Sequence, residues 1–159
     1  MAISRNDGGA LAEKISDLAQ KAGRSVATAE SLTGGHISSL LGAAPSSSDW
    51  FRGAVVAYSS EVKHDLLRVP PGPVVSEPAA RSMAATTATL LGADTVVAVT
   101  GAAGPDGQDG QDPGTVWFGL FDRGVVRAVR RTFPGDPTEV VESTAEHALE
   151  LLIECLAAD

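Results

Sequence analysis

The sequence predicts an α/β domain in which one mixed β-sheet is covered by helices on both faces. Three observations carry this. Apolar residues recur at helical spacing over residues 9–22 (Leu11, Ile15, Leu18, Ala22), over 77–91, and from 137 onward. Short apolar or β-branched runs at 25–29, 54–57 and 95–99 alternate with these helical segments. Two further strand-like runs, 115–121 and 125–132, are joined only by Asp122-Arg123-Gly124, a hairpin signal.

Taken in order, residues 1–8 are polar and expected to fray, and the first helix should span 9–22, with Gly23 well placed to end it. A strand over 25–29 then runs into Glu30-Ser31-Leu32-Thr33-Gly34-Gly35, from which a helix leaves over 36–41. Residues 43–49 hold Pro45 and three serines and read as loop. The run Ala54-Val55-Val56-Ala57 reads as a buried strand. Ser60 is the expected cap of a helix over 61–67, with Val62, Leu66 and Val69 as its inner face, and Pro70-Pro71 prevents its continuation.

Ser76, followed by Glu77 and Pro78, is a strong N-cap for the helix to Leu91, closed by Gly92. The small residues of that helix (Ala79, Ala80, Ala84, Ala85, Ala88) suit close packing on a sheet. After the strand 95–99, residues 100–114 form a loop with five glycines. Asp136-Pro137-Thr138-Glu139 is a capping-box pattern. The helix it opens places Val141, Ala145, Ala148, Leu152 and Cys155 on one stripe.

Composition narrows the function. The chain has 159 residues, 43% of them hydrophobic, a length and balance suited to one domain with its own core. The formal charge of −8 and the scattered Lys and Arg residues argue against a nucleic-acid surface. No apolar run approaches a membrane span and no signal-peptide pattern opens the chain. Cys155 is the single cysteine, so neither a disulfide framework nor a cysteine metal cluster is expected. A cytoplasmic protein is the expectation.

Four places hold groups suited to chemistry. Ser31 ends a strand before a glycine-rich helix start, which offers a hydroxyl beside unpaired N–H groups. That arrangement fits either an acyl-transfer nucleophile with oxyanion donors or a simple anion cradle. His36, His64 and His147 form no metal pair and no triad by spacing, so each reads as a surface or helix-face residue. Tyr58 and Lys63 follow the second strand. A lysine in a first helical turn and partly buried has an accessible neutral amine, because dipole and desolvation both disfavour the cation. Such a lysine can serve as base for a serine, although spacing by itself favours a solvated surface lysine.

The loop Thr100-Gly101-Ala102-Ala103-Gly104-Pro105 also follows a strand, and two such strand ends side by side make a cleft at the sheet edge. It matches neither the phosphate-loop nor the dinucleotide pattern. Asp106, Asp109 and Asp112 recur in the acidic stretch 106–112, which lacks the ligand alternation and terminal Glu of a calcium loop. No metal or cofactor is expected there; the stretch reads as a mobile loop or lid.

Five stretches in order carry a resemblance over about residues 9–157. They are Thr28-Ala29-Glu30-Ser31-Leu32-Thr33-Gly34-Gly35, then residues 47–63 through Tyr58-Ser59-Ser60-Glu61-Val62-Lys63, Val75-Ser76-Glu77, residues 100–105, and Pro113-Gly114-Thr115-Val116. The chain resembles the CinA C-terminal domain family, which includes the nicotinamide-nucleotide amidohydrolases (NMN deamidases). The resemblance implies a three-layer α/β sandwich, a homo-oligomer (dimer or higher) and a small nucleotide substrate. It also implies hydrolysis of the carboxamide of nicotinamide mononucleotide to nicotinic acid mononucleotide and ammonia, with no cofactor. Carried over by position, it implies Ser31 as nucleophile, Lys63 as base and Tyr58 as an orienting or relaying group. Thr33, Gly34, Gly35, Thr100, Gly101 and Gly104 would contact substrate or its oxyanion. Longer relatives carry a separate N-terminal pyrophosphatase domain, whose activity is not expected here.

The chain departs from that pattern at Ser60, where asparagine is usual, at Asp112, where lysine is usual, and at Pro137, where arginine is usual. The last two remove cations that would suit a nucleotide phosphate or a subunit contact. A non-catalytic nucleotide- or partner-binding domain, or an amidase for another small amide, are therefore the alternative readings. Ammonia release separates the first from the rest.

Overall fold

The computed structural model describes residues 3–158, with side chains from residue 8 onward. The elements run α1 (Ile3–Ala22), β1 (Val26–Glu30), α2 (His36–Gly42), α3 (Ser47–Trp50), β2 (Phe51–Val56), α4 (Ser60–Asp65), α5 (Glu77–Leu91), β3 (Thr95–Gly101), β4 (Thr115–Asp122), β5 (Val125–Thr132) and α6 (Pro137–Ala157). The expected α/β class holds. The strands form one mixed sheet in the order β2-β1-β3-β4-β5. β1 lies parallel to β2 and β3, while β4 lies antiparallel to β3 and β5.

The central strand shows why the layers hold. Along β3, Val97 and Val99 join the core under α1, α2 and α6, while Val96 and Ala98 join the core under α5. All four are fully buried. A strand covered on both faces reads as a continuous apolar run rather than an alternating one. The small residues of α5 do what their size allows. At Gly119 of β4 a Cβ would meet the Ala80 carbonyl of that helix, so only glycine admits the contact.

Local signals met their expected outcomes at several ends. Ser76 caps α5 by accepting from the Ala79 N–H, and Gly92 closes it with φ 62°. Asp136 and Glu139 form the reciprocal capping box of α6. Gly23, with φ 65°, follows α1, and the Arg24 N–H reaches back to the Ala19 carbonyl. The β4–β5 turn places Arg123 and Gly124 at positive φ, the geometry of a two-residue hairpin.

Other expectations are corrected. α1 begins at Ile3 rather than at residue 9; Met1 and Ala2, part of the segment expected to fray, lie outside the described residues. The loop expected over 43–49 gives way to the one-turn helix α3 from Ser47. The strand read as buried, β2, is an edge strand with only β1 beside it, and Val56 is 46% exposed. The α6 stripe is led by Val140, not Val141. The cap of α4 is Ser59, whose Oγ accepts from the Val62 N–H, rather than Ser60.

The largest correction concerns the inner face of α4. Val62 and Leu66 are exposed, and the buried positions are Lys63, Leu67 and Val69. Within α4 the buried face is that of Lys63, and Leu67 and Val69 lie just beyond the helix end. That face turns toward the sheet edge and carries a lysine inward.

Candidate active site

β1 is buried along its whole length and ends in a charged residue, Glu30, that is itself fully buried. An unpaired carboxylate there would be costly. Glu30 avoids that cost by closing the turn that follows it. Its Oε1 accepts from Thr33 Oγ1 at 2.7 Å, Gly35 N at 3.1 Å and Ile37 N at 3.0 Å. Its Oε2 accepts from Ser38 N at 2.7 Å. The orphan N–H groups of α2 are thus taken by the chain's own acid. Gly34 and Gly35 make the turn possible, with φ of 54° and 104°.

This arrangement bears against the anion-cradle reading of the Ser31 turn. An anion cradle needs free N–H groups at the start of α2, and Glu30 holds three of them. Gly34 N donates to Ser31 O and His36 N to Thr33 O. Glu30 is therefore the foundation of the serine turn, and sequence reasoning missed it. Its signal was present as an acid ending an apolar strand just before a helix start.

Glu30→Ala leaves four donors without an acceptor and is expected to cost about 4 kcal/mol of stability. Glu30→Gln keeps an oxygen for three of them and should cost roughly half as much. Urea denaturation measures both, and equal losses would show that charge rather than acceptor geometry matters.

Ser31 opens into a small cleft. A cavity of about 190 Å³ is lined by Ser31, Leu32, Tyr58, Lys63, residues 101–104 and residues 106–108. The two strand ends, after β1 and after β3, thus meet as expected of an α/β sheet edge. Ser31 is 4% exposed, and its hydroxyl has no hydrogen-bond partner among the described residues. Lys63 is 3% exposed, and its Nζ donates to the Tyr58 carbonyl at 3.2 Å.

Burial pushes the Lys63 amine below its ordinary value, and the negative charge of Asp109 opposes that shift without cancelling it. The expected contribution of a helix N-terminus is absent. Lys63 lies in the last turn of the six-residue α4, where the dipole favours a cation. Desolvation therefore does the lowering by itself.

Tyr58 is 72% exposed. Its carbonyl holds Lys63, and the residue lines the cleft and a wider adjoining groove of about 460 Å³. Leu32, His36, Gly104, Pro137, Thr138 and Glu142 also line that groove.

The other expected residues divide. Gly101 and Gly104 line the cleft. Thr33, Gly34 and Gly35 lie outside its lining, because their groups close the turn around Glu30 and Ser31. Thr100 is fully buried and donates its hydroxyl to the Val74 carbonyl, so it ties β3 to the segment before α5. Loop N–H groups with no protein acceptor among the described residues include those of Leu32 and Ala103, and both residues line the cleft.

No histidine lines this cleft. His64 pairs with the Val69 carbonyl, and His147 packs on Phe118 and Phe133. Among the described residues, no group of three or more His, Cys, Asp or Glu is arranged to hold a metal ion, and no helix is long and apolar enough to cross a membrane.

Residues 106–112, read as a mobile loop or lid, form a short hairpin. Gln108 and Gln111 form a bridge, and Asp109 and Gly110 between them have φ of 55° and 77°. Two consecutive positive φ values make a type I′ turn, which Asp-Gly favours. Gly107 is required where a Cβ would meet the Gln111 carbonyl.

Comparison with known proteins agrees with this architecture. The profile described as CinA C-terminal domain matches residues 9–156. A CinA-like protein of Mycolicibacterium vanbaalenii is 40% identical over 161 residues, covering 97% of this chain and 38% of the relative. A CinA-like protein of Mycobacterium tuberculosis is 42% identical over 164 residues, covering 98% of this chain and 37% of the relative. The chain therefore spans less than two fifths of the length of these relatives.

Among solved structures, a competence or damage-inducible protein from Enterobacter asburiae superposes with a TM-score of 0.90 at 34% identity, covering 94% of this chain and 98% of that one. A competence/damage inducible protein from Agrobacterium tumefaciens gives 0.86 at 34% identity, covering 96% of each chain. With nearly its whole length matched in sequence and in fold, this chain belongs to the CinA C-terminal domain family.

Proposed function

We propose that this chain hydrolyses the carboxamide of nicotinamide mononucleotide to nicotinic acid mononucleotide and ammonia. The observation that carries the reading is that an unbonded serine hydroxyl and a desolvated lysine line one cleft with no histidine. Ser31 Oγ attacks the amide carbon and passes its proton to neutral Lys63 Nζ. The C–N bond then breaks, and ammonia leaves with a proton from Lys63. Water, giving its proton to Lys63, attacks the acyl carbon; the C–Oγ bond breaks, and Lys63 returns the proton to Ser31 Oγ. One group, whose proton affinity burial lowers, serves as base and then acid, which a poor leaving group such as an amine requires. Leu32 N–H and Ala103 N–H are the donors offered to the oxyanion. The cleft of about 190 Å³ takes the ring amide, and the adjoining groove takes the rest of the nucleotide.

Ammonia release from nicotinamide mononucleotide, measured without added metal, tests this. A purified chain that binds the nucleotide and releases no ammonia would sink it. One observation favours a second reading. The groove carries Pro137 and Glu142 where a cation would suit a phosphate. If turnover occurs only with a small amide lacking phosphate, the chain is an amidase of different substrate; if no amide turns over, it is a binding domain.

A further inference from the structure

The acidic hairpin after β3 has a contact that the serine–lysine reading leaves unused. Asp109 sits at its tip, and one oxygen, Oδ2, accepts from Val74 N at 2.9 Å and from Val75 N at 3.0 Å. Val74 and Val75 are 3% and 1% exposed. Buried N–H groups need an acceptor, and the segment before α5 supplies none to these two. Val74 is thereby held from both sides, its carbonyl by Thr100 of β3 and its N–H by Asp109. The hairpin is exposed, Asp109 included, apart from half-buried Gln111, and three of its residues, Asp106, Gly107 and Gln108, line the cleft. Its place as a wall therefore depends on how the tip is fastened.

We propose that Asp109 is a positioning residue of the cleft: its carboxylate fastens the 106–112 hairpin to Val74 and Val75 and so holds Asp106, Gly107 and Gln108 in the cleft wall. The kinetic part of this rests on the amidohydrolase reading; the structural part does not. The ionisable groups around Lys63 are Tyr58 and Asp106 in the cleft lining and Glu61, His64 and Asp65 on or beside its own helix. Glu30, beneath the neighbouring serine turn, has both oxygens bound to N–H and O–H donors. Asp109 is the group whose charge acts on Lys63, holding its proton affinity up against burial. The hairpin thus joins two properties, the shape of the cleft and the protonation of its base.

Two substitutions separate these properties, because both bonds use a single oxygen. Asp109→Asn keeps one carbonyl oxygen for Val74 and Val75 and removes the charge. Asp109→Ala removes both. Three measurements on the full chain read them: amide exchange at Val74 and Val75 by NMR, the titration of the Lys63 side chain by NMR, and KM against kcat for nicotinamide mononucleotide across pH.

Asp109→Ala is expected to speed exchange of the two amides about tenfold or more and to raise KM by about the same factor, with a smaller change in kcat. Asp109→Asn should leave exchange and KM near wild type. In both, the Lys63 midpoint and the rising limb of kcat/KM should move to lower pH. Unchanged exchange in Asp109→Ala overturns the fastening. An unmoved Lys63 midpoint in both variants overturns the electrostatic role. Should the wild-type chain release no ammonia, the amidohydrolase reading falls by itself, and exchange and titration still decide the role of Asp109.

Discussion

Ser31→Ala is expected to lower ammonia release by about a thousandfold or more while leaving the protein folded. The two halves of that expectation come from different facts. In the proposed mechanism the hydroxyl forms the acyl bond, so nothing replaces it chemically. Yet it has no partner among the described residues. Removing it therefore leaves no donor or acceptor unsatisfied, and stability should change by less than about 1 kcal/mol. The turn itself is held by Glu30, which the substitution does not touch. Steady-state assay and thermal unfolding together test this. Wild-type rates in the variant would remove Ser31 from the mechanism, and loss of fold would show that the turn depends on the hydroxyl.

Replacing Lys63 should be nearly as damaging to rate, by about a hundredfold to ten-thousandfold, which is the range of a lost acid–base group. Lys63→Arg should not rescue activity, because a guanidinium stays charged and is too broad for the site. In the wild-type chain, kcat/KM should rise with pH as Lys63 loses its proton, with a midpoint below the ordinary lysine value of 10.5. A rate independent of pH through neutral and alkaline conditions would remove Lys63 as base.

Stability should respond to pH in the same sense as activity. The folded-state value of Lys63 is depressed, so between it and 10.5 the unfolded chain binds more protons. Stability attributable to this group then rises with pH across that window, and the cost of burying the cation is fully present below it. Lys63→Met fills the same space without the charge. At neutral pH it should melt no lower than wild type, and any gain should shrink as pH approaches 10.5. A Met variant that melts well below wild type at neutral pH would mean that the bond from Nζ to Tyr58 outweighs desolvation.

Much of the fold was legible because its signals are local. Ser76 and Asp136 cap their helices through backbone groups three residues away, and Asp122-Arg123-Gly124 turns the last hairpin through its own dihedral preferences. The β-branched run over 95–99 marked β3 as a strand by composition alone. The failures share a cause. Whether Ala54-Val55-Val56-Ala57 is covered depends on which strand lies beyond it, and none does. The inner face of α4 depends on what packs against a helix too short for two full turns, and the sheet edge selected Lys63 and Leu67 over Val62 and Leu66.

By itself the sequence determined the class of fold, the ends of the capped helices, the family, and the order in which Ser31, Tyr58, Lys63 and the glycine-rich loop occur. Only the tertiary structure decided what those residues experience. It placed a carboxylate under the serine turn, so the N–H groups of α2 serve Glu30 rather than a ligand. It turned Lys63 inward, so desolvation rather than a helix dipole lowers its proton affinity. It also brought Asp109 to Val74, 35 residues away along the chain. The physical reason is common to all three: caps and turns are set by neighbours in sequence, whereas burial and field are set by neighbours in space.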